Sequence, residues 1–225
     1  MRDEPVLLVH GFATSAARTW GDNGWIDLLG DAGRQVIAPD LLGHGGAAKP
    51  HDPGAYSTME SDVAALLPDR SVDAVAFSLG ARIVLTLAAA DPDRFAHIVV
   101  AGVGANLFRD DGSEAVAQAI EGRADPANPD VQYFAGLAAQ PGVDREALAA
   151  CIRHPRPRLD TAILGKVTCP VLVVLGDRDF AGPADPLVEA LPDVTFCPLR
   201  GVDHFATPKD FGFIDAALTF LDAQP

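Results

Sequence analysis

Val72-Asp-Ala-Val-Ala-Phe-Ser78-Leu-Gly80-Ala-Arg-Ile-Val-Leu85 reads as a strand, a turn and a helix in immediate succession. The apolar run 72–77 has the composition of a strand buried on both faces, and the stretch after it carries a helical pattern. Between them stands small-x-Ser-x-Gly. A nucleophile at a strained strand-to-helix turn projects its hydroxyl out of the sheet, and such a turn needs small residues two before and two after the serine. Ala76 and Gly80 supply them. The helix N-terminus beneath Ser78 favours developing negative charge. Taken alone, the segment is equally an ordinary strand-to-helix junction with Ser78 as the N-cap.

Working outward, apolar runs recur at Pro5–His10, Gln35–Pro39, His97–Val103, Pro170–Leu175 and Val194–Leu199. None alternates cleanly between apolar and polar, as expected of a parallel sheet covered by helices on both faces. Helical patterns lie between them at Trp25–Ala32, Ser57–Leu67, Leu79–Ala90, Pro183–Leu191 and Phe213–Leu221. Ser57 and Glu60 have capping-box spacing, and Asp91-Pro92 stops the helix after Ala90. The expected fold is α/β, with about six mostly parallel strands and helices on both faces. Placing the first and third strands side by side gives the order 2-1-3-4-5-6, and ligands bind such sheets where the order reverses.

One stretch breaks the rhythm. From 104 to 166 no strand pattern appears, and weak helical patterns sit at Gly112–Gln118, Asp130–Ala139 and Asp144–Arg153. An excursion of this length between strands reads as a small helical lid, inserted into a core made of residues 1–103 and 167–225.

The chain has 225 residues and a formal net charge of −14, which disfavours nucleic acid and anionic membrane as partners and leaves a small molecule as the expected ligand. Its three cysteines, Cys151, Cys169 and Cys197, have no metal-site spacing and read as reduced thiols. No signal-peptide pattern opens the sequence and no run is long enough to span a membrane, so the expected location is the cytoplasm.

An acyl-transfer serine needs backbone N–H donors for the oxyanion. Leu79, the residue after Ser78, offers one. His10-Gly11-Phe12 closes the first strand and places the Phe12 N–H to offer the other. Val171-Leu-Val-Val-Leu-Gly176-Asp-Arg-Asp179 runs a buried strand into two acids, and either can orient a histidine on the next loop. Among the six histidines, only His204 follows those acids, as the chain order Ser, Asp, His requires.

Five segments in this order resemble the α/β-hydrolase superfamily: His10-Gly11-Phe12, Asp40-Leu-Leu-Gly43-His44-Gly45, Ala76-Phe77-Ser78-Leu79-Gly80, Gly176-Asp-Arg-Asp179 and Gly201-Val-Asp-His204-Phe205. The resemblance covers essentially the whole chain. It implies that Asp179, rather than Asp177, is the acid, with Ser78 as nucleophile and His204 as base. The family's serine branch cleaves carboxylic esters, thioesters or lactones through an acyl-enzyme, without metal or organic cofactor. Members with the same three residues also cleave C–C bonds, transfer acyl groups or make peracids, and receptor-like members bind with negligible turnover. Ala76 replaces the family's usual glycine, Gly46-Ala-Ala-Lys-Pro50 lacks its usual serine, and the first strand matches the family's third, without an N-terminal hairpin. Phe108, Tyr133 and Phe134 in the lid, with Phe205, are candidates to line an apolar substrate pocket, and Trp20 and Trp25 could join them.

Overall fold

A computed structural model describes residues 3–109, 113–123, 129–140 and 142–224, with 113 and 129–133 as backbone only. Six strands form one parallel sheet: β1 (Val6–Val9), β2 (Val36–Ile37), β3 (Val72–Phe77), β4 (Phe95–Ala101), β5 (Val171–Gly176) and β6 (Val194–Leu199). The order is β2-β1-β3-β4-β5-β6, so the reversal falls between β1 and β3. Successive strand side chains point to opposite faces. Leu7, Val9, Ala74, Ala76, Ile98, Val100, Val171 and Val173 share one core layer, and Val6, Leu8, Val75, Phe77, Val99, Ala101, Leu172 and Val174 share the other. Both faces of the inner strands therefore need apolar residues.

Helices α1 (Trp25–Asp31) and α9 (Phe211–Phe220) cover the second layer. Helices α2 (Met59–Ala64), α3 (Leu79–Ala90), α7 (Thr161–Leu164) and α8 (Asp185–Ala190) cover the first. α3 ends at Ala90, before Pro92. The capping box expected at Ser57 does not form. Asp52 instead caps a 3₁₀ turn over Pro53–Thr58 by accepting from Gly54 N–H, Ser57 Oγ donates to Gly54 O, and α2 starts only at Met59. Helix α7 was not expected from its four residues, yet Asp160 caps it at Ile163 N–H.

At the sheet's N-terminal end, Asp73 is fully buried, pairs with Arg34 and lies 2.9 Å from His97 Nδ1. The outer strand β6 differs from the inner ones. Thr195, Phe196 and Pro198 on it are exposed, and proline belongs on an edge because it cannot donate to a ladder.

Between β4 and β5 lie α4 (Ser113–Ile120), α5 (Pro129–Ala138), α6 (Arg145–Arg153) and then α7. Ala117, Ile120, Ala138, Leu148 and Ala149 from the first three form a cluster with Ala13, and Phe12 packs against it. This segment therefore lies over the loop that ends β1. Two further contacts tie α6 to the loop before α2. Tyr56 Oη donates to Ala147 O at 2.7 Å, and His51 sits between Asp144 Oδ2 at 3.1 Å and Glu146 Oε2 at 3.0 Å.

Both His51 nitrogens can donate only in the imidazolium form. The Asp144 hydrogen bond is the main influence holding the His51 pKa above 6.5. A raised histidine pKa contributes stability that is complete below 6.5 and is lost as pH rises through the raised value. Amide exchange over 145–153 should therefore be slower in the wild type than in His51→Gln at low pH. The difference should close above that pKa. A difference that persisted unchanged at alkaline pH would show that charge is not what ties α6 down.

Candidate active site

β3 delivers Ser78 at φ 53° and ψ −113°, before α3 begins at Leu79. A non-glycine residue in such backbone costs on the order of 1–3 kcal/mol and persists only where its surroundings impose it. The neighbouring strand imposes it here. A Cβ at Gly80 would lie 2.3 Å from Val9 O and 2.6 Å from His10 O, so only glycine lets α3 start this close to β1. Ser78 N–H donates to Ala101 O at 2.9 Å, tying the turn to β4.

His204 follows β6 on a loop shaped by Asp203, whose Oδ1 accepts from the N–H groups of Phe205 and Ala206. His204 is 5% exposed. Its Nδ1 lies 2.9 and 3.0 Å from the two Asp179 oxygens, and its Nε2 lies 3.0 Å from Ser78 Oγ. A proton on Nδ1, donated to the carboxylate, leaves the Nε2 lone pair facing the hydroxyl. Asp179 is buried and also accepts from Ala181 N–H at 2.8 Å. Asp177 is exposed and accepts from Gly201 N–H at 2.7 Å, bracing the loop that carries His204. Of the two acids, Asp179 thus contacts the imidazole and Asp177 contacts the loop that carries it.

The N–H of Leu79 belongs to the first turn of α3, where backbone donors lack intrahelical partners. Among the described residues no protein acceptor takes the Phe12 N–H. The loop presenting Phe12 is held by His10, which is fully buried and kept neutral by desolvation. His10 Nδ1–H donates to Gly11 O at 2.7 Å, and Nε2 accepts from Leu41 N–H at 3.0 Å. Burial also pushes His44 down to about 3, and its ring meets Phe12 edge to face at 5.6 Å. Both histidines shape the loop as neutral groups.

A cavity of about 420 Å³ opens over Ser78, with Phe12, Leu79, Phe134, His204 and Phe205 among its walls. Phe108 is not among them and packs, partly buried, against the first core layer. Tyr133 belongs to α5, but its side chain lies outside the described residues. Trp20 and Trp25 are fully buried in the core layer under α1 and α9, and Trp25 Nε1–H donates to Pro208 O.

The sequence reading overlooked Phe77, Phe180, Arg82, Asn106 and Arg156, which also line the cavity. Arg82 stands one helical turn after Ser78, a spacing that puts both on one face. Phe180 directly follows Asp179 on the same strand end. Arg156 could not be found from its surroundings in the chain. It donates to Cys151 O at 3.0 Å, and among the described residues no carboxylate pairs with it. Among the described residues, no group of three or more His, Cys, Asp or Glu is arranged to hold a metal, and no helix is long and apolar enough to cross a membrane.

Comparison with known proteins assigns the chain a family. Residues 4–132 match the family model for the alpha/beta hydrolase fold. A 2-hydroxy-6-oxo-2,4-heptadienoate hydrolase of Pseudomonas putida is 36% identical over 122 residues, which is 50% of this chain and 42% of that protein. The matched stretch thus spans less than half of that relative. The crystal structure of a bromoperoxidase from Bacillus anthracis is 25% identical with a TM-score of 0.74, covering 98% of this chain and 92% of the other. A 2-hydroxy-6-oxo-6-phenylhexa-2,4-dienoate hydrolase from Rhodococcus sp. strain RHA1 shares the fold at 23% identity, with a TM-score of 0.70 over 97% of this chain and 89% of its own.

Gly102 tests how tightly the site is packed. Its φ is +68°, and an added Cβ would lie 2.5 Å from Phe77 Cε2 and 3.0 Å from His204 Cε1. Gly33 has a φ of +73° with open space around it. Urea unfolding should show Gly33→Ala losing about 1 kcal/mol from backbone strain, and Gly102→Ala losing roughly 1–3 kcal/mol more from overpacking. Equal losses would mean that the imidazole has slack on this side.

Proposed function

The chain belongs to the alpha/beta hydrolase fold family, and within that family we propose that it is a serine hydrolase cleaving a carboxylic ester or lactone. The observation that carries the proposal is the unbroken line of hydrogen-bonding groups from Asp179 through His204 to Ser78 Oγ. Ser78 Oγ attacks the carbonyl carbon while His204 Nε2 takes its proton. The oxyanion that forms accepts from the Phe12 and Leu79 N–H groups. His204 gives the proton to the leaving alcohol as the acyl-enzyme forms, takes one from the attacking water, and passes it to Ser78 Oγ as the bond to the acyl group breaks and the acid leaves. Asp179 keeps the proton on Nδ1 and stabilises the imidazolium. No step needs a metal or an organic cofactor. Residues 104–166 act as a lid, because Val116, Phe134, Leu137, Ile152 and Arg156 wall the cavity from that segment.

A second reading is favoured by Arg156. A guanidinium at the wall of a largely apolar cavity, without a carboxylate partner among the described residues, suits a substrate that carries an anion. The Pseudomonas putida relative is named for a dienoate, so the same serine and histidine could cleave a C–C bond in a substrate bearing a carboxylate.

Fluorophosphonate labelling and turnover of p-nitrophenyl esters test the first reading. Ser78→Ala should fold and lose both. Asp179→Asn should lose on the order of 10⁴ in kcat because the wrong imidazole tautomer forms, whereas Asp177→Asn should lose far less. A larger loss at Asp177 would reverse their roles.

For the second reading, an ester panel with and without a carboxylate separates the cases. Arg156→Leu should lower the preference for the carboxylate-bearing member by about tenfold, an amount expected for one charge-assisted hydrogen bond. An unchanged preference would remove Arg156 from substrate binding.

A further inference from the structure

Two hydrogen bonds hold the His204 imidazole, one at each nitrogen. They fix two points of the ring and leave rotation about the line through those points unopposed. Contacts on the ring's remaining sides must remove that freedom. Gly102 closes the Cε1 edge, leaving no room there even for a methyl group. Phe77 lies against the ring at a centroid distance of 4.8 Å and an interplanar angle of 40°. Phe180 lies closer, at 4.3 Å and 35°.

The two phenyl rings differ in how they are held. Phe77 is 6% exposed and fixed in the core layer under β3. Phe180 is 52% exposed, although burial of so large an apolar side chain is favourable. Packing into the core does not explain where Phe180 sits. Its neighbours are Phe205 at 6.0 Å and Phe134 of α5 at 6.4 Å, and Phe134 also meets Phe12 at 6.2 Å. A line of rings therefore runs from the Phe12 loop, through the lid, to the imidazole.

Resting on the serine-hydrolase reading above, we propose that Phe180 is a positioning residue that holds His204 in line between Asp179 and Ser78, and that Phe134 of the lid holds Phe180 in turn. The ring acts in two ways. Its bulk stops the imidazole tilting away from Ser78 Oγ. Its π-face also attracts the imidazolium that forms when the serine proton moves, an interaction that an aliphatic side chain of similar size does not offer. Seating of α5 thereby reaches the proton acceptor without Phe134 touching it.

The experiment uses the full chain and three variants: Phe180→Leu, Phe180→Tyr and Phe134→Leu. Each is measured for kcat and KM on p-nitrophenyl acetate, for the rate of fluorophosphonate labelling, and for Tm. Phe180→Leu should keep its Tm and lose about 10–100-fold in kcat and in labelling rate, the scale expected for a small misplacement of a reacting group, with KM changed less than about threefold. Phe180→Tyr, which keeps the ring face, should recover most of both rates. Phe134→Leu should lose in the same direction and by less.

Three results would overturn the proposal: wild-type kcat in Phe180→Leu, a loss confined to KM, or failure of Phe180→Tyr to recover the rates at an unchanged Tm. The confined KM loss would mean that Phe180 only packs against substrate. If Phe180→Leu does not fold, the comparison of Phe180→Tyr with Phe134→Leu decides, and wild-type rates in Phe134→Leu sink the proposal. Absence of labelling in the wild type would remove the serine-hydrolase reading and the positioning role together. Labelling of the wild type with no response to Phe180→Leu removes the positioning role alone.

Discussion

The site depends on the closeness of two pieces of backbone. β1 ends and α3 begins with the carbonyls of Val9 and His10 against the Cα of Gly80. That approach carries Ser78 into its unusual backbone conformation and sets the first N–H of α3 beside the loop that offers Phe12. A side chain at position 80 would push the helix off the strand, separating the two donors from each other and from the serine. Glycine here gives up helix propensity of roughly 1 kcal/mol against alanine. The sequence keeps it where shape, not propensity, decides.

Electrostatics at the cavity run against the molecule as a whole. The chain is strongly acidic, yet Arg18, Arg82, Arg156 and Lys209 stand at the cavity wall. Net charge governs solubility and long-range encounter, whereas a ligand inside a cleft responds to the groups within a few ångströms. The overall charge therefore says little about whether the bound molecule is neutral or anionic. His10 and His44, packed behind the Phe12 loop rather than on the cavity wall, add no charge because burial keeps both neutral.

Much of the architecture could be read from patterns that physics makes local. β3, β6 and α3 have the bounds expected of them, because a buried strand needs an apolar run and a proline stops a helix. The strand order followed once the first and third strands were set side by side with the second outside. What escaped were features set by distant partners. Ser57 lost its capping role to Asp52, and Phe108 turned into the core. Arg156 reached the cavity from a segment far away in sequence, and Phe77 and Phe180, although they adjoin Ser78 and Asp179, meet His204 only once the strands are assembled. Ser78, Asp179 and His204 were legible as candidates because each closes a strand or follows one in a fixed chain order. The aromatic surroundings of His204 have no such grammar.

The same arrangement has a consequence for how the protein is made. The Ser78–His204 contact joins residues 126 apart, and the chain crosses β4, the whole 104–166 excursion, β5 and β6 between them. Contacts of such separation are slow to form, because loop closure must precede any reward from pairing. No hairpin or single crossover contains the site in miniature. A nascent chain must therefore extend through β6 and past His204 before the Ser78–His204 contact can form. Formation of this contact after dilution from denaturant accordingly reports completion of the sheet rather than its initiation.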